Sequence, residues 1–308
     1  MPAQGPIHVD RPLSNISIAY RAEGLIADEL FRSVPVKKES DQYYVFDKAQ
    51  SLKFVRTLRA DGADANQDNL LLSTASYRIQ YYALKDVITD RQRENADEGL
   101  NLEIALTEDL SGKLALEKEV EAASMLFTNG NWDNESSLAA AGAWSANTTV
   151  SNPILVADSA AAAVLANSAK PVNTCVMDNR TYLACKEHVS VVDRVKYTSQ
   201  DSVTPQLLAR LFGVQGLHVA KGQYNSAQEG AAASMGPIWT DSAWFGYNES
   251  APGLRKVSAL LQFQKGGGAT VKRWRDEGKS GDFIEVERNH DLVAPCTDAG
   301  YLVVNTVQ

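Results

Sequence analysis

Residues 97–128 read DEGLNLEIALTEDLSGKLALEKEVEAASMLFT, and the spacing of their apolar positions decides the fold. Leu102, Leu106, Leu110 and Leu114 fall four apart. Val120, Ala123 and Phe127 carry the stripe on at helical rather than strand spacing. Asp97 suits an N-cap, with further acids in the first turn, and Asn129-Gly130-Asn131 is a stop signal. The pattern predicts one helix over 97–128, a rod of about 45 Å at 1.5 Å per residue. That far exceeds the usual helix of about 11–12 residues. Gly99 and Gly112 each weaken it by about 1 kcal/mol relative to Ala, so packing along one face must hold it straight. The stripe drifts over about four heptads, which speaks against a coiled coil.

Upstream, residues 1–14 are polar and punctuated by Pro2, Pro6 and Pro12, an arm with too little apolar surface to fold alone. A short helix is expected around Leu25–Phe31, with Pro35 ending it. Between Lys37 and Asp90, Tyr43–Phe46 and Leu52–Val55 read as strands and 60–69 is turn-rich. Tyr77, Ile79 and Tyr81 then alternate as strand residues do, and YALKDVITDRQRENADEG is a charged lead into the long helix. A two-legged ribbon of this kind is marginal alone in water. It is expected to lie against a neighbouring molecule, a solvated hairpin on a monomer being the plainer alternative.

Downstream, 131–153 is rich in Ala, Ser, Asn and Gly and suits a crossing between domains. Helices are expected over Asp158–Lys170, Asp178–His188 and Thr204–Phe212, and strands over Thr174–Met177, Leu217–Lys221 and Ile238–Phe245. Their alternation across Val150–Pro252 predicts a compact α/β domain. The tail reads as strands at Val257–Phe263, Thr270–Trp274 and Phe283–Arg288, separated by Gly266-Gly267-Gly268 and the charged turn Asp276–Asp282. It closes on an apolar strand expected to return to an earlier sheet.

The chain has 308 residues, 44% hydrophobic and 22% charged, with a net charge of −8. These are ordinary globular values with room for two domains. The acidic balance argues against gripping nucleic acid over the whole surface. No apolar run approaches the roughly 18–20 residues of a membrane span, so no membrane partner is expected, and no signal peptide is visible. Cys175, Cys185 and Cys296 form no CxxC and are odd in number, which predicts buried, reduced thiols. GxGxxG, GxxxxGK[ST], HExxH and GxSxG are all absent, and the triple glycine has no Lys-Ser/Thr after it. His8, His188, His218 and His290 stand apart, with His188 expected at a helix C-terminus where a cation suits the dipole. Glu117–Glu121 reads as a solvated or partner-facing surface. No catalytic, cofactor or metal residue is assigned, and no enzyme is expected.

One charge pattern stands out. Between Lys37 and Arg59, Lys37, Lys38, Lys48, Lys53, Arg56 and Arg59 outnumber Glu39, Asp41 and Asp47. From Glu94 to the end of the long helix nine acids face only Lys113 and Lys118. Opposite signs on two extended elements suit docking of one subunit's loop on its neighbour's helix, with two separately solvated surfaces as the alternative.

The order of these elements resembles the major capsid proteins of tailed bacteriophages, with their Hong Kong 97-type coat fold. Ser14–Lys48 (SNISIAYRAEGLIADELFRSVPVKKESDQYYVFDK), Leu72–Asn95, Asn179–Tyr197, Leu208–Gly230 and the terminal DAGYLVV are similar to such coats in content and order. The resemblance implies an α+β fold with an N-arm over 1–36, an E-loop over 37–77, and a peripheral domain over 78–149 holding the spine helix (97–128). An axial α/β domain would cover 150–256, peripheral return strands 257–296 and a terminal axial strand 297–308. It implies a structural subunit that forms hexamers and pentamers of an icosahedral shell around packaged double-stranded DNA, bound non-specifically. The expected place is the virion capsid, assembled in the host bacterial cytoplasm. Implied partners are copies of itself, a separate scaffolding protein (no long scaffolding segment precedes the arm), a portal protein and a decoration protein.

Inter-subunit contacts are expected at Lys48, Lys53, Arg56 and Arg59 on the loop, Glu103, Glu117 and Glu121 on the spine, and Arg275 and Asp276 at the hairpin. Some family members crosslink a loop lysine to a neighbour's asparagine; Lys48 or Lys53 occupies that region, without a matching set of partners. Two other readings compete. An encapsulin, a bacterial compartment shell of the same fold, is disfavoured by the long polar arm and the lack of a cargo-groove signal. A cytosolic α/β enzyme would need convergent titratable groups in a pocket, and none assembles.

Overall fold

The computed structural model describes residues 22–69, 71–96, 101–148, 150–196, 202–228, 230–253 and 255–308. Residues 1–21 of the expected arm and the cap expected at Asp97 lie outside these residues. In chain order the strands are β1 (Arg32–Val36), β2 (Ser40–Phe46), β3 (Leu72–Arg78), β4 (Gln80–Thr89), β5 (Asn134–Ser137), β6 (Thr174–Asp178) and β7 (Gly216–Ala220). They continue as β8 (Gln223–Asn225), β9 (Met235–Pro237), β10 (Ser242–Gly246), β11 (Leu261–Asp276), β12 (Gly281–Val293) and β13 (Gly300–Val304).

Asn101 caps the long helix by accepting the Ile104 N–H at 3.2 Å. The helix runs 26 residues, Leu102–Phe127, about 39 Å. It ends because Thr128 turns extended and Gly130 takes φ +92°. Its buried stripe is Leu110, Leu114, Lys118, Glu119, Ala122, Ala123 and Leu126, while Val120 is exposed. The inward face thus turns away from the predicted Val120 and takes in two charged residues.

The helix lies across a sheet of order β1-β11-β12-β4, in which β1 runs parallel to β11 and the other neighbours are antiparallel. Leu110 and Leu114 pack there on Ile88, Ile284 and Val286. The segment read as a charged lead is therefore mostly strand, β4, with a short helix, Asp90–Glu94, after it. A second sheet has the order β5-β13-β10-β6-β7, and the last strand, β13, inserts between β5 and β10. The chain end does return to an earlier sheet. Helices Pro153–Ser168, Asn179–Glu187, Val189–Val195 and Pro205–Leu211 enclose this sheet around Cys175, Met177, Phe245 and Val303.

A further core joins the two sheets, and it contains Ile26, Ala27, Leu30 and Phe31 beside Leu126, Trp132, Trp239 and Trp244. These four residues fall in the N-arm expected over 1–36, which has too little apolar surface at its start to fold alone. They are buried in their own chain, because a short amphipathic turn (Ala27–Leu30) sets two large side chains against the long helix.

β2 and β3 pair antiparallel as a separate ribbon, Ser40 opposite Arg78 and Phe46 opposite Leu72. Only its base is buried, where Tyr77 stacks on Phe263 at 4.5 Å. Leu52–Val55 is not a strand: Asp47 caps a helical turn, Lys48–Ser51, by accepting the Gln50 N–H, and 53–60 has no regular structure. The triple glycine does not separate two strands either. All three residues take positive φ and form a bulge inside β11, between Gln264 and Ala269.

Candidate assembly surfaces

The most demanding chemistry lies at the middle of the long helix, in the run read as solvated surface. Glu119 is 0% exposed. Its carboxylate accepts the Ile26 N–H at 3.0 Å, the Ala27 N–H at 2.8 Å and the Trp239 indole N–H at 2.7 Å. Lys118 is 1% exposed and donates to Asp28 and to the Gln262 side-chain oxygen at 2.7 Å. Arg288 donates to Asp28 from the sheet at 2.9 Å. Burial raises the Glu119 pKa against the pull of its donors and lowers that of Lys118. The signal was present in the sequence: Lys118 lies four residues beyond Leu114 and four before Ala122, and Glu119 four before Ala123, within the apolar stripe.

One turn on, Glu121 accepts the Tyr82 hydroxyl at 3.2 Å and faces His290 Nε2 at 3.2 Å, with Tyr82 stacked on the His290 ring. Burial, and then the Glu121 charge, push the Tyr82 phenol up to about 12. Glu117 is exposed on the same helix.

At the β11–β12 turn, three arginines meet four acids. Arg93 donates to Asp282 at 2.6 Å and to Glu103 at 3.3 Å; Arg273 donates to Glu103 at 2.6 Å and to Asp282 at 2.9 Å. Arg275 grips Asp90 with both terminal nitrogens, at 2.9 and 2.7 Å, and reaches Glu277 at 2.9 Å. Hydrogen bonds from Arg93 and Arg273 hold the Asp282 carboxyl below the usual range. Asp276 accepts the Gly278 N–H at 2.9 Å and so closes the turn. Gly281 is required where it stands, since a Cβ there would lie 2.6 Å from the Ile88 carbonyl of β4. Arg275 and Glu103, expected at contacts with other subunits, are engaged within the chain by this network.

The loop residues divide. Lys48 pairs with Asp298 of its own chain, and Phe46 lies under the Arg255 guanidinium at 4.8 Å. Lys53, Arg56 and Arg59 are exposed and make no ion pair among the described residues. The chain brings none of them to Glu103, Glu117 or Glu121.

His188 ends the helix Asn179–Glu187, as expected, but burial disfavours a cation there. It caps the next one: its Nδ1 accepts the Ser190 N–H at 3.2 Å, which leaves Nε2 to carry the proton toward Ser151 Oγ at 3.1 Å. Burial lowers its pKa, favouring the neutral ring. Among the described residues, no group of three metal-capable side chains occurs, and no helix is long and apolar enough to cross a membrane.

No family model matches the chain. Two relatives are each called "Major capsid protein". That of Pseudomonas phage JBD67 is 24% identical over 251 residues, covering 80% of this chain and 79% of its own. That of Burkholderia phage BcepMu is 24% identical over 306 residues, covering 96% and 95%. Among solved structures, a phage-related protein of Bordetella bronchiseptica superposes with a TM-score of 0.73 at 23% identity, over 97% of both chains. The capsid structure of cyanophage P-SCSP1u gives 0.62 at 14% identity, over 94% of this chain and 90% of that one. The chain therefore has the Hong Kong 97-type fold of tailed-phage capsids and is similar over nearly its whole length to phage major capsid proteins.

Proposed function

We propose that the chain is the structural major capsid subunit of a phage head, assembling through hexamers and pentamers into an icosahedral shell around double-stranded DNA. The observation that carries this reading is the similarity to two phage major capsid proteins, over 80% and 96% of this chain. The ribbon supports it: a 16-residue excursion between Ser51 and Asp68 with Phe54 and Leu58 almost wholly exposed has no core of its own to bury. In this reading the four-stranded sheet with the long helix is the peripheral domain, β2–β3 the E-loop and the five-stranded sheet the axial domain. A scaffolding protein, a portal and a decoration protein are its proposed partners, and the host cytoplasm its place of assembly. Many weak contacts per subunit, each about −4 kcal/mol at millimolar affinity, let misplaced copies leave and make the closed shell durable.

The purified protein should give shells or capsomers by negative-stain microscopy, and particles from its native source should protect DNA from nuclease until opened. Small particles alone would remove the shell reading. Shells enclosing protein instead of DNA would favour the compartment alternative, against which the relatives' phage origin already weighs.

A further inference from the structure

Asn129-Gly130 is the one Asn-Gly pair in the chain. It stands in an exposed turn just past Phe127, the last residue of the long helix. Asn is among the chemically labile side chains. The backbone nitrogen of the next residue can attack its carboxamide carbon, and a following Gly, with no Cβ, leaves that approach open. The Asn129 carboxamide makes no hydrogen bond among the described residues, and a Cβ on Gly130 would meet nothing within 4 Å. Residue type, exposure and room all mark a place that should convert.

The surroundings of the Gly130 nitrogen work the other way. Its N–H donates to Glu135 Oε1 at 2.6 Å, and the same oxygen accepts the Trp132 N–H at 3.1 Å. The helix gives that nitrogen no carbonyl partner, so Glu135 alone ties it. Glu135 is itself fixed, because it lies half-buried in β5, opposite Leu302 of β13. The turn is closed from its other side by Asn131. Its side chain donates to the Met125 carbonyl at 2.9 Å, and its backbone N–H to the Thr128 carbonyl at 3.4 Å. Attack on the Asn129 side chain takes the proton off the Gly130 nitrogen, and the bond to Glu135 is lost with it. Hydrogen bonds from backbone N–H to a carboxylate are among the stronger kind. A negative charge beside the nitrogen also disfavours the anion that attacks.

We propose that Asn129 is a latent deamidation site and that Glu135 keeps it closed by holding the Gly130 N–H. When the turn opens, the Gly130 nitrogen bonds to the Asn129 Cγ, its proton passes to solvent, and the side-chain nitrogen leaves as ammonia. Solvent water then opens the ring at either carbonyl, giving Asp or an isoaspartyl linkage. Either product sets a new negative charge at the C-terminal end of the long helix, where the dipole disfavours it. Asp133 and Glu135 already stand close by in the sequence. The isoaspartyl form also adds one carbon to the main chain ahead of Trp132. That indole donates to the Leu126 carbonyl at 3.0 Å and packs in the core that joins the two sheets. Conversion therefore loosens the joint between the helix and the five-stranded sheet. The proposal goes beyond the shell reading and does not depend on it.

Peptide mass mapping with isoaspartyl detection tests it, on unassembled wild-type protein and Glu135 variants held at mildly alkaline pH. At position 129, folded wild type should convert at least about tenfold more slowly than the same chain in urea, where the turn is open. Folded Glu135→Ala should convert at least about tenfold faster than folded wild type, the scale of one hydrogen bond to a charged group. Glu135→Gln, closest in shape and without the charge, should show a smaller rise, and it stands in if the Ala variant does not fold. Thermal melts establish that each variant is folded during the incubation. Wild type that converts as fast folded as in urea would overturn the proposal, as would the absence of a rise in the folded variants. A slower rate in them would also overturn it, because the carboxylate would then be drawing off the proton and promoting the reaction.

Discussion

Glu119 of the long helix accepts the Trp239 indole N–H at 2.7 Å, 120 residues along the chain. One carboxylate so joins the long helix, the turn at Ile26–Ala27 and the segment leading into β10. Replacing it by Ala strands three buried donors, at about 1–3 kcal/mol for each unmet group and less than their sum. We expect Glu119→Ala to cost about 3–5 kcal/mol, the range for opening a buried charged cluster. Glu119→Gln, which keeps one acceptor oxygen, should cost clearly less. Urea unfolding of both variants checks this, and equal losses would mean that the carboxylate's bonding is not what matters there.

Gly246 and Gly300 face each other across β10 and β13. Their missing side chains make the space that two indoles fill. A Cβ on Gly300 would lie 2.2 Å from the Trp132 ring and 2.8 Å from Trp244 Nε1, and one on Gly246 would lie 2.2 Å from the Trp244 ring. Gly300→Ala should cost about 1–3 kcal/mol by overpacking. Trp132→Leu in the same chain should recover part of that loss, because it removes the obstructing ring. A double variant whose loss is the plain sum of the two single losses would show that the clash is relieved elsewhere.

The long helix and the returning last strand were legible because each follows a period that one local pattern sets. The middle of the helix was misread because its burial depends on Asp28, Trp239 and Gln262, whose distance along the chain hides that they meet. Acidic density alone suggested solvent. The glycine run read as a break between strands, since positive φ usually marks a turn; only the pairing of β11 with β12 on both sides shows a bulge. Arg275 looked free for a partner because Asp90, its acceptor, lies 185 residues away. The ribbon's poor capacity to bury itself was readable from its composition. The own-chain burial of Ile26–Phe31 was not, because it is set by the helix that those residues meet.

His188 gives a pH dependence with a definite sign. Burial lowers its folded-state pKa below the ordinary value near 6.5. The unfolded chain then binds the proton more readily, so stability falls as pH drops from about 7.5 through 6.5 toward the folded-state value. The slope from this residue cannot exceed about 1.4 kcal/mol per pH unit. His188→Asn, which can still cap the Ser190 N–H, should flatten this part of the profile. Denaturant midpoints between pH 5 and 8 decide it, and an identical slope in the variant would rule His188 out as the source.

Asp282 receives both Arg93 and Arg273, whereas Arg275 binds acids at a more open position. Asp282→Ala leaves two guanidinium groups facing each other with only Glu103 between them. It should lower Tm more than Arg275→Ala does, and the gap should narrow as salt screens the repulsion. Melts at low and high salt measure this, and a gap unaffected by salt would point to lost packing rather than to charge.

Lys48 and the trio Lys53, Arg56 and Arg59 belong to one basic loop, but the structure gives them different situations. Lys48 has Asp298 in its own chain, and the trio meets no acid among the described residues. An exposed pair such as Lys48–Asp298 is worth about 0–1 kcal/mol, so Lys48→Ala should leave the melt unchanged and shell yield within about fivefold. Reversing the trio to Glu should leave the unassembled protein just as stable, since no intrachain partner is lost. If the loop docks on an acidic neighbour, as its charge pattern leads us to propose, the reversal should sharply reduce assembly by setting acid against acid at every copy of the contact. Raised salt should restore part of the yield of the trio variant and little of any loss at Lys48. Particle counts across a salt series separate the two. If the trio variant assembles as well as wild type at low salt, these cations face solvent in the shell, and the docking of this loop on acidic surface is wrong.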